Sequence, residues 1–86
     1  MMDHSGVQRQ IREFIERELK RPLGGVTGSD SLLEAGILDS LGVLELVAFI
    51  ERDYGIGISE DEMMPDNFET LDAIAAFVER RRAARA

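Results

Sequence analysis

Ser40 is the residue whose position most favours chemistry. It follows Ile37-Leu38-Asp39 and precedes Leu41, so its hydroxyl stands where a loop becomes a predicted helix. Free backbone N–H groups and the helix dipole favour an anion at such a junction, and a phosphodiester on Ser40 would lie in a favourable field. The residues alone leave a second interpretation open, because serine is also a common N-cap.

Other kinds of chemistry have less support. His4 is the single histidine and lies in a terminal segment that we expect to be frayed, so a Ser-His-Asp relay is not expected. A cluster of acids near the predicted third helix is a candidate calcium site, but it lacks the alternating ligands of an EF-hand loop. The chain has no cysteine, which excludes thiolate metal sites. We therefore predict neither a catalytic residue nor a metal site. The acids of the cluster are Glu60, Asp61, Glu62 and Asp66.

Negative charge is concentrated in the middle of the chain. The net charge is −7, and residues 31–66 hold nine acids against one base, Arg52. Such a surface repels nucleic-acid phosphates and attracts partners with basic patches. The alternative is that the acidity only keeps a small domain soluble. The nine acids are Glu34, Asp39, Glu45, Glu51, Asp53, Glu60, Asp61, Glu62 and Asp66.

The length of 86 residues predicts one domain over 1–86, with frayed tails at 1–4 and 83–86. The N-terminus has no apolar signal region, and apolar runs such as 46–50 are far too short to cross a bilayer. The absence of cysteine fits a reducing compartment. We therefore expect a soluble cytoplasmic protein that neither inserts into membranes nor binds nucleic acid.

Apolar spacing predicts four helices and no strand, which is an all-α, small four-helix bundle. Helix I is expected over residues 6–20, with Ser5 and Gln8 as a capping box and Pro22 as the stop. The connection over 22–39 is long, and we expect it to be ordered because its own apolar residues can anchor it. The anchoring residues are Leu32, Leu33, Ile37 and Leu38, with Gly36 at a turn.

The second helix is predicted over residues 39–54 and closes at Gly55, a residue suited to a left-handed cap. The third is brief, with Ser59 and Glu62 as a capping box and Pro65 directly after it. The fourth begins after residue 70, and the arginines at its end complement the helix dipole. It presents Leu71, Ile74, Phe77 and Val78 to the core.

Helix II carries more apolar residues than one buried face requires. Four of them satisfy the core, and Leu41, Leu44 and Ala48 share another face, flanked by Glu45 and Glu51. An exposed apolar strip with acids beside it is the expected form of a docking surface. A central helix buried on nearly all sides is the alternative. The four core residues are Leu46, Val47, Ile50 and Tyr54.

The segment Glu34-Ala35-Gly36-Ile37-Leu38-Asp39-Ser40-Leu41, followed by this helix, resembles the acyl carrier protein and peptidyl carrier family. The resemblance covers about residues 7–80, including the long loop and the brief third helix. Asp-Ser-Leu occurs a second time, around Ser31, but only Ser40 opens a long amphipathic helix. We therefore predict that Ser40 is the functional serine and that Ser31 is a loop residue.

The resemblance implies a discrete carrier that itself catalyses nothing. A phosphopantetheinyl transferase moves 4'-phosphopantetheine from coenzyme A onto the serine that matches Ser40, and the thiol of the arm holds an acyl or aminoacyl group as a thioester. The absence of cysteine fits, because the thiol comes with the cofactor. The further partners are a loading ligase and a downstream acyltransferase or synthase. We expect the carrier to be a monomer that binds these partners one after another. The partner-binding residues are Asp39, Leu41, Leu44, Glu45, Ala48 and Glu51.

Three residues depart from the pattern of fatty-acid carriers. Gly42 stands where a polar residue is common, and Arg52 where an acid is common, so docking to fatty-acid synthase enzymes is less favoured. The segment 66–74 resembles carriers of amino-acid-activating or specialised pathways, such as D-alanyl carriers, more than it resembles fatty-acid carriers. Phe49 is bulky; if it points inward, it fills space that a long acyl chain needs, which favours short or polar cargo. A carrier of primary fatty acid synthesis and a cofactor-free acidic interaction module are the alternatives.

Overall fold

The helices of this protein follow one another with short turns, except after the first. The computed structural model describes residues 4–85, with side chains described from 6 to 84, and this part contains no strand. The predicted all-α four-helix bundle is confirmed. The elements are α1 (His4–Arg17), α2 (Ser40–Tyr54), a 3-10 turn (Glu60–Glu62), α3 (Pro65–Phe68) and α4 (Leu71–Arg85).

Helix α1 begins and ends earlier than the sequence predicts. It starts at His4, so Ser5 lies inside the helix and is not its N-cap. At the other end, the N–H of Leu19 donates to the carbonyl of Phe14 at 3.3 Å. Lys20 then takes a φ of 56°, the left-handed conformation that turns a chain out of a helix. His4 and residues 83–85, which the sequence assigned to tails, are helical, whereas residues 1–3 and 86 lie outside the described residues.

The core is formed by one apolar face of each long helix together with Phe68 of α3. Helix α4 packs on both α1 and α3, whereas α1 and α2 make a smaller contact with each other. All four residues predicted to point inward from α4 are buried, and Tyr54 of α2 is only half-buried. The side chains with no exposed surface include Ile11, Ile15, Leu32, Leu46, Ile50, Leu71, Ile74 and Val78.

The long loop between α1 and α2 is ordered by its own apolar side chains, as predicted. Leu32, Ile37 and Leu38 are buried, and Leu23 joins them. Leu33 was expected to anchor the loop as well, but this prediction is wrong because its side chain is 36% exposed. The reason is that Leu32 and Leu33 occupy successive positions of a turn, and only one of them can face the core.

Backbone bonds tie the same loop to the junction between α3 and α4. The N–H of Leu32 donates to the carbonyl of Glu69 at 2.7 Å, and the N–H of Asp72 donates to the carbonyl of Gly28 at 3.0 Å. Gly36 has a φ of 75°, which explains the glycine predicted at this turn. The loop is therefore held in one conformation next to the start of α2.

The third helix of the prediction is two short pieces. The predicted Ser59–Glu62 pair caps the 3-10 turn, with the N–H of Ser59 donating to Oε1 of Glu62 at 3.0 Å. Pro65 does not end this element but begins α3, because proline suits the first position of a helix. Thr70 caps α4, since its Oγ1 accepts the N–H of Ala73 at 3.0 Å. No helix in the part of the chain that the structure describes has both the length and the apolar composition needed to cross a bilayer.

Candidate functional site

Asp39 is the N-cap of α2. Its backbone is extended, and its Oδ1 accepts the N–H of Gly42 at 2.7 Å. Its other carboxylate oxygen lies 3.9 Å from Nη2 of Arg21, and both side chains are at least half exposed, so this ion pair contributes little. Asp39 therefore already provides the N-cap that a serine can supply.

Ser40 is the first residue of α2, and it is exposed. Its hydroxyl has no hydrogen-bond partner within residues 4–85. Ser31 differs in both respects: it is half-buried, and its Oγ accepts the N–H of Glu34 at 3.1 Å. Of the two Asp-Ser-Leu serines, Ser40 thus has the hydroxyl that an external enzyme can reach.

An open apolar groove of about 350 Å³ begins at Ser40 and runs between α2 and the segment 63–68. Leu33 lines this groove, which accounts for its exposure. The sequence did not predict this groove. Val43 lies one helical turn after Ser40, so its spacing indicates that it is near the serine, but Met63, Pro65 and Phe68 come close to Ser40 only in the folded chain. The lining residues are Leu33, Ser40, Val43, Leu44, Met63, Pro65 and Phe68.

Helix α2 has the two faces that its sequence predicts. Leu46, Val47 and Ile50 are buried, whereas Leu41 is 64% exposed and Leu44 is 55% exposed. Ala48 and Glu45, on the same side as Leu41, are exposed as well. The alternative of a helix enclosed on all sides is therefore wrong.

Glu51 differs from the other acids predicted for this surface. It is half-buried, and its Oε2 accepts the backbone N–H of Ile58 at 2.8 Å. This bond holds the turn that follows α2. The structure thus brings together Asp39, Leu41, Leu44, Glu45 and Ala48 and gives Glu51 a partner within its own chain.

Gly42 has a structural explanation that the sequence did not reveal. It is buried, and a Cβ atom at this position would lie 3.2 Å from Oδ1 of Asp39 and 3.3 Å from Cδ2 of Leu38. The missing side chain lets the loop pack against α2. The close approach of Leu38 and Asp39 therefore accounts for the glycine without reference to a docking partner.

Phe49 does not point into the bundle, so it does not fill the interior space that a long acyl chain would need. Its ring stacks on that of Phe14 with centroids 4.5 Å apart, in the half-exposed seam between α1 and α2. Arg52 lies 6.0 Å above the Phe49 ring and 3.3 Å from Oδ1 of Asp53. Phe49 and Arg52, two of the three departures from the fatty-acid pattern, therefore lie on the side of α2 that faces α1.

Among the acids near the third helix, Glu62 has a structural role. The N–H of Ser59 and then the guanidinium of Arg81, at 2.7 Å, hold the pKa of Glu62 below its ordinary value. Arg81 thereby joins the 3-10 turn to α4. Within the described side chains, no group of three acids or histidines could hold a metal ion.

Known proteins similar to this chain are carriers. Residues 9–78 match the family model described as the phosphopantetheine attachment site. Over 83 residues the chain is 32% identical to "Probable acyl carrier protein PigG" of a Serratia strain, covering 96% of this chain and 91% of the relative.

Two further relatives are D-alanyl carrier proteins. That of Streptococcus pyogenes (strain Manfredo) is 29% identical over 85% of this chain and 91% of the relative. That of Streptococcus sanguinis is 28% identical over 91% of this chain and 98% of the relative.

Proposed function

Because this chain belongs to the family of phosphopantetheine-dependent carrier proteins, we propose that Ser40 is the residue to which its 4'-phosphopantetheine is attached. Attachment joins the serine oxygen to the phosphorus that carries the pantetheine in coenzyme A. The pyrophosphate bond breaks, adenosine 3',5'-bisphosphate leaves and the hydroxyl proton is released, so the serine oxygen must be accessible. The exposed Ser40 hydroxyl, freed by the Asp39 cap, is the observation that carries this proposal. Ser31 has its oxygen bound to the Glu34 N–H.

The residues around Ser40 fit the arm. The groove that begins at Ser40 is lined almost entirely by apolar side chains, which suits the uncharged length of a pantetheine. The bound arm supplies a terminal thiol that holds an acyl or aminoacyl group, and the chain has no cysteine that would compete with it. The alternative function, a cofactor-free acidic interaction module, does not account for the match to the phosphopantetheine attachment family.

For the cargo, we propose a short acyl or aminoacyl group of a specialised or amino-acid-activating pathway. The similarity to acyl and D-alanyl carriers supports this class. The groove is open at the surface, and Phe68, one of its lining residues, is only 1% exposed. Methylenes beyond the groove would stay in water and forgo about 0.8 kcal/mol each. Melting temperatures that rise steadily with acyl length, across a series of loaded forms, would contradict short cargo.

Carrier proteins of this family interact with phosphopantetheinyl transferases and with ligases or synthases. We propose that such enzymes, including a loading ligase and a downstream acyltransferase or synthase, dock on the exposed face of α2. Leu41 and Leu44 supply apolar contact there, and Glu45 attracts basic groups. Asp39 lies at the N-terminal end of this face, and Ala48 and Glu51 lie toward its C-terminal end. We also propose that the protein acts in the cytoplasm.

Intact-mass measurement tests the attachment site. The purified protein is incubated with coenzyme A, magnesium and a promiscuous phosphopantetheinyl transferase. The wild type and Ser31→Ala should each gain one phosphopantetheine, and Ser40→Ala should gain none. The two serines share the Asp-Ser-Leu context, so Ser31→Ala is the matched control. Modification of Ser40→Ala, or loss of modification in Ser31→Ala with the fold intact, would overturn the assignment.

A further inference from the structure

The backbone around Arg21 is held firmly at the end of α1. Lys20 has a φ of 56°, and the N–H of Arg21 donates to the carbonyl of Ile15 at 3.2 Å. This bond closes the helix end in the manner of a Schellman motif. On the other side, the ring of Pro22 restricts the chain, and Leu23 is buried in the core. The Cα atom of Arg21 therefore has a fixed place in the fold.

The guanidinium of Arg21 is less constrained than its backbone. Its Nη2 lies 3.9 Å from Oδ2 of Asp39, which is beyond hydrogen-bond distance, and the Arg21 side chain is 50% exposed. Within the described residues, this side chain makes no other ion pair or hydrogen bond. An exposed pair of this length is weak, so the guanidinium can leave Asp39 at little cost.

A negative group on Ser40 would lie among acids. Residues 31–66 hold nine acids, and Arg52, their single base, is already paired on the side of α2 that faces α1. A phosphodiester on Ser40 carries a negative charge, and the carboxylate of the adjacent Asp39 repels it. The positive end of the α2 dipole offsets part of this repulsion. Arg21 is the one cation among the described residues that line a notch of about 80 Å³ at Asp39.

We propose that Arg21 binds the phosphodiester that joins the 4'-phosphopantetheine arm to Ser40, and that its guanidinium moves away from Asp39 to do so. Two oxygens of a phosphodiester can accept from one guanidinium, which is a stronger contact than the long pair with Asp39. Arg21 is then a positioning residue, because it limits the directions in which the arm leaves α2. The inference deepens the proposed function and rests on it, since it assumes that the arm is attached to Ser40.

Nuclear magnetic resonance of the 15N-labelled, arm-bearing protein tests this contact. The side-chain Nε–Hε signal of Arg21, identified by its loss in Arg21→Gln, should shift when the arm is attached. It should shift in Asp39→Asn as well, because that variant removes the carboxylate charge and keeps the phosphodiester. The 31P signal of the arm should move in Arg21→Gln and keep its wild-type position in Arg17→Gln. Arg17 is a matched control, since it is exposed and lines a depression that shares no residue with the notch.

A second sample makes the test independent of the attachment reaction. Protein made by chemical synthesis with phosphoserine in place of Ser40 carries a phosphate that takes up its second proton near a pH of about 6. Because the guanidinium of Arg21 favours the more negative form, the midpoint of this 31P titration should be about 0.2 to 0.7 pH units higher in Arg21→Gln. Arg17→Gln should leave the midpoint unchanged.

For a protein that accepts the arm, two results would overturn the role of Arg21: an Arg21 side-chain signal that ignores attachment, or equal effects of Arg21→Gln and Arg17→Gln on the 31P signal. A response confined to the phosphoserine sample would overturn it too, because the proposal concerns the diester. If the wild type accepts no phosphopantetheine, the proposed attachment fails instead. The phosphoserine sample then decides whether Arg21 binds a phosphate at position 40, so the two failures are distinguishable.

Discussion

Asp39 caps α2 by accepting the N–H of Gly42 at 2.7 Å, and this bond leaves the hydroxyl of the adjacent Ser40 free. The two neighbours therefore have different tasks: one stabilises the start of the helix and the other presents an oxygen to solvent. The division explains how a serine can stand at a helix start without being used as its cap.

Asp39→Ala should lower the free energy of unfolding by about 1 kcal/mol, because the first turn of α2 loses its side-chain acceptor. Asp39→Asn keeps an oxygen at the cap and should lose less. Urea denaturation followed by circular dichroism measures both. Ser40→Ala removes no hydrogen bond and should stay within about 0.5 kcal/mol of the wild type. Equal stability of Asp39→Ala and the wild type would show that the cap is not a stabilising contact.

Leu32→Ala should be strongly destabilising, whereas Leu33→Ala should not. Leu32 is fully buried, and its truncation leaves a cavity under the loop at a cost of about 3 kcal/mol. Leu33 is 36% exposed and lines the groove, so its loss should cost about 0.5 kcal/mol. Chemical denaturation of this neighbouring pair checks whether the loop is anchored by one leucine. Similar losses in both variants would contradict the observed packing.

Glu62 should contribute to stability in a pH-dependent manner. The Ser59 N–H bond, followed by Arg81, lowers the pKa of Glu62 in the folded protein. Its contribution is therefore complete above the ordinary glutamate pKa, about 4.3, and is lost as the pH falls through the lower folded value. Glu62→Gln should remove this part of the acid dependence. Arg81→Gln should raise the pKa of Glu62 toward the ordinary value, which carboxyl chemical shifts report. An unchanged Glu62 titration in Arg81→Gln would contradict the contact.

Tyr54 should ionise only above its ordinary pKa of about 10, because burial raises its pKa while Arg82 lowers it to a smaller extent. Its contribution to stability is then complete below pH of about 10 and lost as the pH rises through the folded value. The chain has one tyrosine and no tryptophan, so tyrosinate absorbance reports this residue alone. Arg82→Gln should raise the midpoint further. A midpoint at or below 10 in the wild type would contradict the burial effect.

Local signals explain which parts of the fold were predictable. The start and end of α2 follow from Asp39, Ser40 and Gly55, whose effects act within one turn of the helix. The two faces of α2 follow from its apolar spacing. Gly55 indeed has a φ of 67°, as a left-handed cap requires. The pieces of the third helix were harder, because Pro65 is compatible with the end of one element as well as with the start of another, and here it begins α3.

The rest of the candidate site depends on distant segments. Met63 and Phe68 are distant from Ser40 in the sequence, yet they line the same groove. They follow the 3-10 turn that Arg81 of α4 contacts through Glu62. The choice between Leu32 and Leu33 as the anchor depends on the backbone bond from Leu32 to Glu69. No periodicity in the sequence reports such contacts. Gly42 likewise looked like a feature of the partner surface until its closeness to Leu38 was known.

The backbone hydrogen bonds from Leu32 to Glu69 and from Asp72 to Gly28 have a consequence for synthesis on the ribosome. The loop that leads into Ser40 cannot take its final conformation until residues 69–72 have left the exit tunnel. A nascent chain halted before that point exposes Ser40 in a segment without its tertiary support. An enzyme that recognises the folded start of α2 would therefore act only after α4 has begun to emerge.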